Sequence, residues 1–119
     1  MTGVQTCALP ICIQRTVQDL VAARALLASE VGCDGVVASG EEPAILRPKV
    51  GPRFLIVTPG VRPAGEGVDD HARATTPTQA ISAGADYLVV GRPIRDASDP
   101  AAAAAAILAE MQAAFDARG

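Results

Sequence analysis

Three short apolar runs, each followed by a capping or turn residue, constrain the fold of this chain more than any other feature of its sequence. The runs are GVVA at residues 35 to 38, FLIV at 54 to 57 and YLVV at 87 to 90. They are rich in β-branched and aromatic side chains and do not alternate with polar residues, which is typical of parallel strands covered on both faces. The sequence therefore predicts three buried parallel strands.

Helical patterns lie before, between and after these runs. Thr16 is a candidate N-cap for a first helix that stops at Gly32, and a last helix begins at Asp99 and Pro100. Each carries apolar residues at helical spacing, which we expect to form its buried face: Leu20, Ala23, Leu27 and Val31 in the first, and Ile107, Leu108, Met111 and Phe115 in the last.

Two capping-box patterns predict where the middle helices begin. Ser39 with Glu42 and Thr76 with Gln79 have the required spacing, and a proline follows Thr76 at the first helical position. Gly84 is a candidate stop for the second of these helices. The predicted order is α-β-α-β-α-β-α, for which a right-handed parallel sheet is the default arrangement.

This α/β pattern is best explained as part of a barrel. A complete eight-stranded α/β barrel needs about 250 residues, whereas this chain has 119. An open three-stranded layer is the alternative, but no G-x-G-x-x-G motif follows the first strand, as a dinucleotide-binding fold would require. We therefore interpret the chain as a severed barrel with one modest core.

Composition excludes several classes of function. A net charge of −3 with 3% aromatic residues disfavours nucleic-acid binding, which needs a basic surface. The cysteines at 7, 12 and 33 have neither disulfide nor zinc-site spacing, so we expect no metal and a reducing cytoplasm. No apolar run approaches the about 20 residues that a membrane span requires, and no signal peptide is predicted.

The first twelve residues, MTGVQTCALPIC, have no helical or alternating period and no charged side chain. They resemble the translated adapter peptides that begin some fragmentary gene products, which favours a non-native leader. A poorly ordered native terminus is the alternative. We predict a leader at residues 1 to 12 and the folded domain at 13 to 119.

The candidate ligand-binding residues lie in the turns after the second and third predicted strands. The segment TPGVRP turns the chain sharply and delivers Arg62 above the sheet, and a long polar loop at residues 63 to 75 follows, as is typical of a lid. After the third strand, Gly91 lets a backbone N–H approach an anion, and Arg92 offers a planar fork of donors. These arginines are either solvated surface residues or ligands of a phosphorylated small molecule. Their occurrence as a pair in glycine-containing turns favours the second interpretation.

Two other polar residues are candidates for a functional role. His71 in the long loop is either an exposed residue or a ligand contact. Lys49, the only lysine, lies in a predicted proline-rich turn without an acidic neighbour, which disfavours a catalytic role.

Taken together, GCDGVVAS, LIVTPGVRP and ATTPTQAISAGADYLVVGRPI resemble the last three strands of the bacterial orotidine 5'-phosphate decarboxylase family, from about residue 16 to the end. The resemblance implies the C-terminal part, about three βα units, of a TIM (β/α)8 barrel. Arg62, Gly91 and Arg92 match the family's substrate- and phosphate-binding residues. His71 falls where the family commonly has a glutamine on the mobile loop, which puts that one contact in doubt.

The resemblance also implies a function. The family converts orotidine monophosphate to uridine monophosphate and CO2, the last step of de novo pyrimidine synthesis, as a homodimer without metal or organic cofactor. Its catalytic Asp-x-Lys-x-x-Asp motif is absent here, so we predict no catalytic residue in this chain and no activity from the chain alone. Another phosphosugar barrel, of the hexulose-phosphate synthase or epimerase type, and a non-catalytic phosphate-binding half-barrel are the alternatives.

Overall fold

The computed structural model describes residues 16 to 63 and 75 to 118. The predicted leader and residues 64 to 74 of the predicted lid lie outside this part. The described elements are, in chain order, α1 (Val17–Glu30), β1 (Gly35–Val37), α2 (Glu42–Val50), β2 (Leu55–Thr58), α3 (Pro77–Ala83), β3 (Tyr87–Leu88), α4 (Arg92–Arg95) and α5 (Pro100–Arg118).

The three strands form one parallel sheet in the order β1-β2-β3. Val36 is paired with Ile56, and Val57 is paired with Tyr87. The predicted parallel order is thereby confirmed. Two strands are shorter than their four-residue apolar runs: β1 contains three residues and β3 contains two. β2 keeps four residues but begins one residue later than predicted and includes Thr58.

Local hydrogen bonds explain where two of the helices begin. The Thr16 hydroxyl accepts a bond from the amide of Asp19 at 3.0 Å, so Thr16 is the N-cap of α1 as predicted. The Thr76 and Gln79 side chains each accept a bond from the other residue's backbone amide, at 3.1 and 3.0 Å, which confirms the complete capping box of α3. Gly84 ends α3 in the left-handed conformation.

The capping box predicted for α2 forms only in part. The Glu42 carboxylate accepts a bond from the Ser39 amide at 3.0 Å, but the Glu42 amide donates to the Ser39 carbonyl, and the helix makes no side-chain cap bond. A further turn therefore separates Ser39 from the helix, which begins at Glu42. The proline-rich turn predicted around Lys49 was also wrong: α2 continues through Pro48 to Val50 and ends at Gly51.

The buried faces of the two long helices differ from those predicted. In α1, Leu27 and Val31 are exposed, and the buried residues are Ala22 and Ala25. In α5 the buried residues are Ile107 and Ala114; Leu108 and Phe115 were predicted to be buried but are 63% and 56% exposed. Small side chains let these helices approach their neighbours closely, and larger apolar residues lie on the uncovered flanks.

Within residues 16 to 63 and 75 to 118, helices cover one face of the sheet, so the prediction that the strands are buried on both faces was wrong. Ile56 is fully buried in a cluster that includes Leu46 and the alanines of α1, and Val36 packs against it. A second cluster on the same face joins Val61, Ala80 and Ala85, with Leu88 and Val90 beside it. Because side chains alternate across a strand, Val37, Tyr87 and Val89 point to the other face, where they are 72%, 59% and 52% exposed.

One arginine joins three segments at the amino end of the sheet. The Arg47 guanidinium donates to the carbonyls of Gly51 and Phe54 at 2.7 Å, to the carbonyl of Gly84, and to the Asp86 carboxylate at 2.6 Å. Arg47 thus ties α2 to the approaches of both β2 and β3. This end of the sheet is stabilised by charge-assisted hydrogen bonds.

Candidate functional site

An open cavity lies at the carboxyl ends of β2 and β3, with a volume of about 280 Å³. Two chain segments line it, one after each strand. They contribute backbone from two glycines, a few apolar groups and three guanidinium groups: Gly60, Val61, Arg62, Val89, Gly91, Arg92, Pro93 and Arg95. Carboxyl ends of parallel strands are where ligands bind in α/β folds.

The turn after β2 holds Arg62 through its backbone. Gly60 adopts a φ of 70°, a left-handed conformation that glycine adopts at little cost. Val61 then pairs with Thr75 in an isolated parallel bridge, and the Arg62 amide donates to the Thr75 carbonyl at 2.9 Å. The bridge joins the two ends of the long predicted loop and fixes the backbone from which the Arg62 side chain extends.

The turn after β3 places Arg92 on the same cavity. Gly91 precedes the single helical turn α4, and its carbonyl accepts bonds from the amides of Ile94 and Arg95 at 3.0 and 2.9 Å. A Cβ added at Gly91 would have no atom within 4 Å, so the backbone there is open to the cavity.

The structure adds a residue that the sequence reasoning missed. Arg95, one turn of α4 after Arg92, also lines the cavity. Its Nε and Nη2 groups donate to the two carboxylate oxygens of Asp96 at 2.9 and 3.1 Å. The spacing of three between Arg92 and Arg95 is the signal that would have found it, but it is informative only once this segment is known to be helical.

The charges around the cavity are uneven. The hydrogen bonds from Arg95 lower the pKa of the Asp96 carboxyl, and the charges of Arg95 and Arg92 act in the same direction, against desolvation. The same hydrogen bonds raise the pKa of Arg95. Among the described residues, the cavity is lined by three guanidinium groups, and the Asp96 carboxylate pairs with one of them.

Three of the four predicted site residues, Arg62, Gly91 and Arg92, line this one cavity. The fourth, His71, lies outside the described residues. Within residues 16 to 63 and 75 to 118, no group of three or more His, Cys, Asp or Glu is arranged to hold a metal ion. None of the helices in this part of the chain is long and apolar enough to cross a membrane.

A parallel sheet with helices packed against it and an arginine-lined cavity at the carboxyl ends of its strands defines an α/β protein, an arrangement that the TIM-barrel class shares. Residues 5 to 107 match the family described as Orotidine 5'-phosphate decarboxylase / HUMPS. The chain belongs to this family.

Named relatives and solved structures agree with this assignment. The chain is 59% identical over 98 residues to the orotidine 5'-phosphate decarboxylase of Rhodopseudomonas palustris, covering 82% of this chain and 41% of the relative. It is 54% identical over 101 residues to that of Geobacter metallireducens, covering 85% and 42%. The crystal structure of the Lactobacillus acidophilus orotidine 5'-phosphate decarboxylase has a TM-score of 0.71 at 39% identity, covering 86% of this chain and 40% of that one.

The chain thus spans about two-fifths of the length of these relatives. A second solved structure, the orotidine 5'-phosphate decarboxylase of Pyrococcus horikoshii, has a TM-score of 0.64 at 30% identity, and 43% of it is covered. The remaining three-fifths of such a protein has no counterpart in the sequence described here.

Proposed function

We propose that this chain is the C-terminal portion of an orotidine 5'-phosphate decarboxylase, and that its cavity binds the phosphate of orotidine monophosphate. The observation that carries the proposal is that Arg62 and Arg92, from the turns after neighbouring parallel strands, line one cavity. Two guanidinium forks around an open glycine backbone suit the several oxygens of a phosphate group.

The roles of the individual groups follow from their chemistry. Arg62 and Arg92 donate hydrogen bonds to phosphate oxygens, and the open backbone at Gly91 admits the anion closely. The loop between Val61 and Thr75 is the proposed lid, with His71 as its contact to the phosphate. Binding a remote phosphate lowers the barrier when its free energy is used to close a lid and assemble catalytic groups elsewhere.

The reaction itself needs residues that this sequence lacks. Decarboxylation breaks the bond between the carboxylate carbon and C6 of the pyrimidine, leaves the electron pair on C6, and ends with protonation of that carbon. The Asp-x-Lys-x-x-Asp motif that would stabilise and protonate the carbanion is absent here. We therefore propose that the missing part of the barrel supplies the catalytic groups and the family's dimer contacts, in a cytoplasmic enzyme without cofactor.

The exposed apolar surfaces support the proposal of an incomplete barrel. Val37 and Tyr87 on the uncovered sheet face, Leu27 on α1 and Phe115 on α5 are all exposed. In a closed barrel the sheet face would line the interior, and the two helix flanks would meet neighbouring helices. A single continuous βα layer would cover all three surfaces.

Reconstitution tests this function directly. The chain would be mixed with the part of the Rhodopseudomonas palustris enzyme that it does not match, and the decay of orotidine monophosphate absorbance followed. We expect decarboxylation from the mixture and none from either part alone. The Arg62→Ala and Arg92→Ala variants should each lower kcat/KM of the mixture by at least about tenfold, whereas Arg53→Ala, at the amino end of β2, should not.

Two other results would overturn the proposal. Competition of the reconstituted site by a pentose phosphate, and not by uridine monophosphate, would favour the hexulose-phosphate synthase or epimerase alternative. A monomeric chain that folds cooperatively and binds phosphate without a partner would favour a non-catalytic half-barrel. Separately, the nucleotide sequence upstream of Ile13 should continue in frame and encode Asp-x-Lys-x-x-Asp; a continuation without that motif would contradict a decarboxylase.

A further inference from the structure

The capping box of α3 is connected to the backbone of Arg62 through one peptide group. The Gln79 Oε1 atom accepts a hydrogen bond from the Thr76 amide at 3.0 Å, and the Thr75 carbonyl accepts one from the Arg62 amide at 2.9 Å. The Thr75 carbonyl and the Thr76 amide belong to the same peptide bond. We propose that Gln79 is a positioning residue that holds Arg62 at the cavity. The inference rests on the proposed phosphate site and adds one residue to it.

The rigidity of the peptide group makes this connection effective. The N–H and the C=O of a trans peptide lie in one plane and point in opposite directions, so a hydrogen bond to one of them sets the direction of the other. Thr76 has an extended backbone here, with φ of −79° and ψ of 159°. Gln79, which binds the Thr76 amide, therefore also orients the carbonyl that accepts the Arg62 amide.

The first turn of α3 is itself held in place. Ala80 of α3 is fully buried and belongs to the same apolar cluster as Val61 of the turn after β2. Glu110 of α5 accepts bonds from the amide and the hydroxyl of Thr78 at 3.2 and 2.8 Å. The first turn of α3 is thus fixed to the core and to a neighbouring helix, and it cannot move without disturbing both.

The position of the Arg62 backbone matters because guanidinium bonds to an anion are directional. Misplacing a binding group by about 1 Å can lower an enzymatic rate about a hundredfold. The bond between Gln79 and Thr76 is exposed to water, and Val61 still anchors the turn in the core. Loss of the Gln79 bond should therefore let the backbone at Arg62 move without releasing it, and we expect effects of about threefold.

Amide hydrogen exchange of the 119-residue chain tests the connection itself. Residue-resolved mass spectrometry at low protein concentration would follow the segment PGVRP, whose two prolines have no amide. We expect Gln79→Leu to speed exchange of the Arg62 amide about threefold. Gln79→Glu, which keeps an acceptor in the capping box, should restore the slower exchange. The matched control is Thr16→Val, which removes the corresponding 3.0 Å cap bond of α1 and should leave the Arg62 amide unchanged.

The reconstituted mixture tests the consequence for the reaction. We expect Gln79→Leu to lower kcat/KM for orotidine monophosphate about threefold, Gln79→Glu to restore it, and Thr16→Val to leave it unchanged. When Arg62 is already alanine, Gln79→Leu should cause no further loss, because Gln79 acts through that arginine. A merely structural role of Gln79 would give the same loss in both backgrounds. Far-UV circular dichroism of each variant identifies any that fail to fold.

The outcomes distinguish this inference from the function on which it rests. If the mixture is active and loses activity in Arg62→Ala but not in Gln79→Leu, the role of Gln79 is wrong and the phosphate site stands. Equal losses from Gln79→Leu and Thr16→Val would also overturn that role, since they would reflect a general loss of stability. An inactive mixture would overturn the proposed function and the positioning role together, and faster exchange would then show a backbone connection alone.

Discussion

Arg47 and Asp86 are 39 residues apart in sequence, but the Arg47 Nη2 and Asp86 Oδ2 atoms lie 2.6 Å apart at the amino end of the sheet. The same carboxylate oxygen accepts a bond from the Ile56 amide at 2.9 Å, so the pair joins α2, the central strand and the start of β3. Both side chains are about one-fifth exposed, at 19% and 22%. A pair that is largely shielded and fully hydrogen-bonded stabilises more than an exposed one.

We expect Arg47→Met to lower the free energy of unfolding by about 2 kcal/mol, because four backbone or carboxylate acceptors lose their donor while the aliphatic stem is largely kept. Urea unfolding followed by circular dichroism at low protein concentration measures this. Arg53→Met is the matched control and should stay within about 0.5 kcal/mol of the unmodified chain. Equal losses for the two variants would contradict the role of Arg47.

The Thr58 hydroxyl predicts a stabilising substitution. Thr58 is fully buried, and its hydroxyl has no hydrogen-bond partner within the described residues. Thr58→Val should therefore raise the free energy of unfolding by about 1 kcal/mol, since it removes a desolvated polar group and keeps the shape. The control is Thr78→Val, which should destabilise because the Thr78 hydroxyl donates to Glu110 at 2.8 Å. A loss of stability in Thr58→Val would show that the hydroxyl is satisfied.

The Arg95–Asp96 pair predicts how the Asp96 carboxyl titrates. The folded-state pKa of Asp96 lies below its usual value of 3.8. A depressed carboxyl pKa contributes stability that is present above the unfolded value and lost as the pH falls through the folded one. We expect the carboxyl carbon signal of Asp96 to titrate below pH 3.8, and the shift to shrink in high salt, because the pair is exposed. In Arg95→Gln the titration should move upward; an unchanged midpoint would contradict the pairing.

The uncovered sheet face predicts aggregation of the isolated chain. Val37 is 72% exposed on that face, and the edges of β1 and β3 have no partner strand in the described structure. Val37→Lys should raise the soluble fraction after centrifugation, because it interrupts an apolar surface at an exposed position. Val36→Lys, one residue earlier on the helix-covered face, should instead unfold the chain. Similar behaviour of the two variants would mean that the sheet is not one-sided.

Sequence predicted the features that depend on local chemistry. The Thr16 cap and the Thr76 capping box require only a few neighbouring residues, and both were confirmed. The parallel order of the strands followed from their uniform apolarity. Arg62 and Arg92 were expected to meet because carboxyl ends of adjacent parallel strands lie together, and they line one cavity.

The features that sequence did not predict depend on distant partners. Whether Leu108 is buried is decided by which helix packs beside α5, and helical spacing alone does not contain that information. The contact between Arg47 and Asp86 needs the sheet order and register before it can be foreseen. Arg95 reaches the cavity because a single helical turn forms after β3, a segment too short to have a periodic pattern.

The two groups of arginine contacts lie at opposite ends of the same strands. Arg47 holds the amino end together, and the guanidinium groups of the cavity extend from the carboxyl end. Randomising Arg62, Arg92 and Arg95 in a mutant library should therefore yield many well-folded members with altered ligand preference. This end of the molecule is accordingly a suitable starting place for engineering receptors for other small anions.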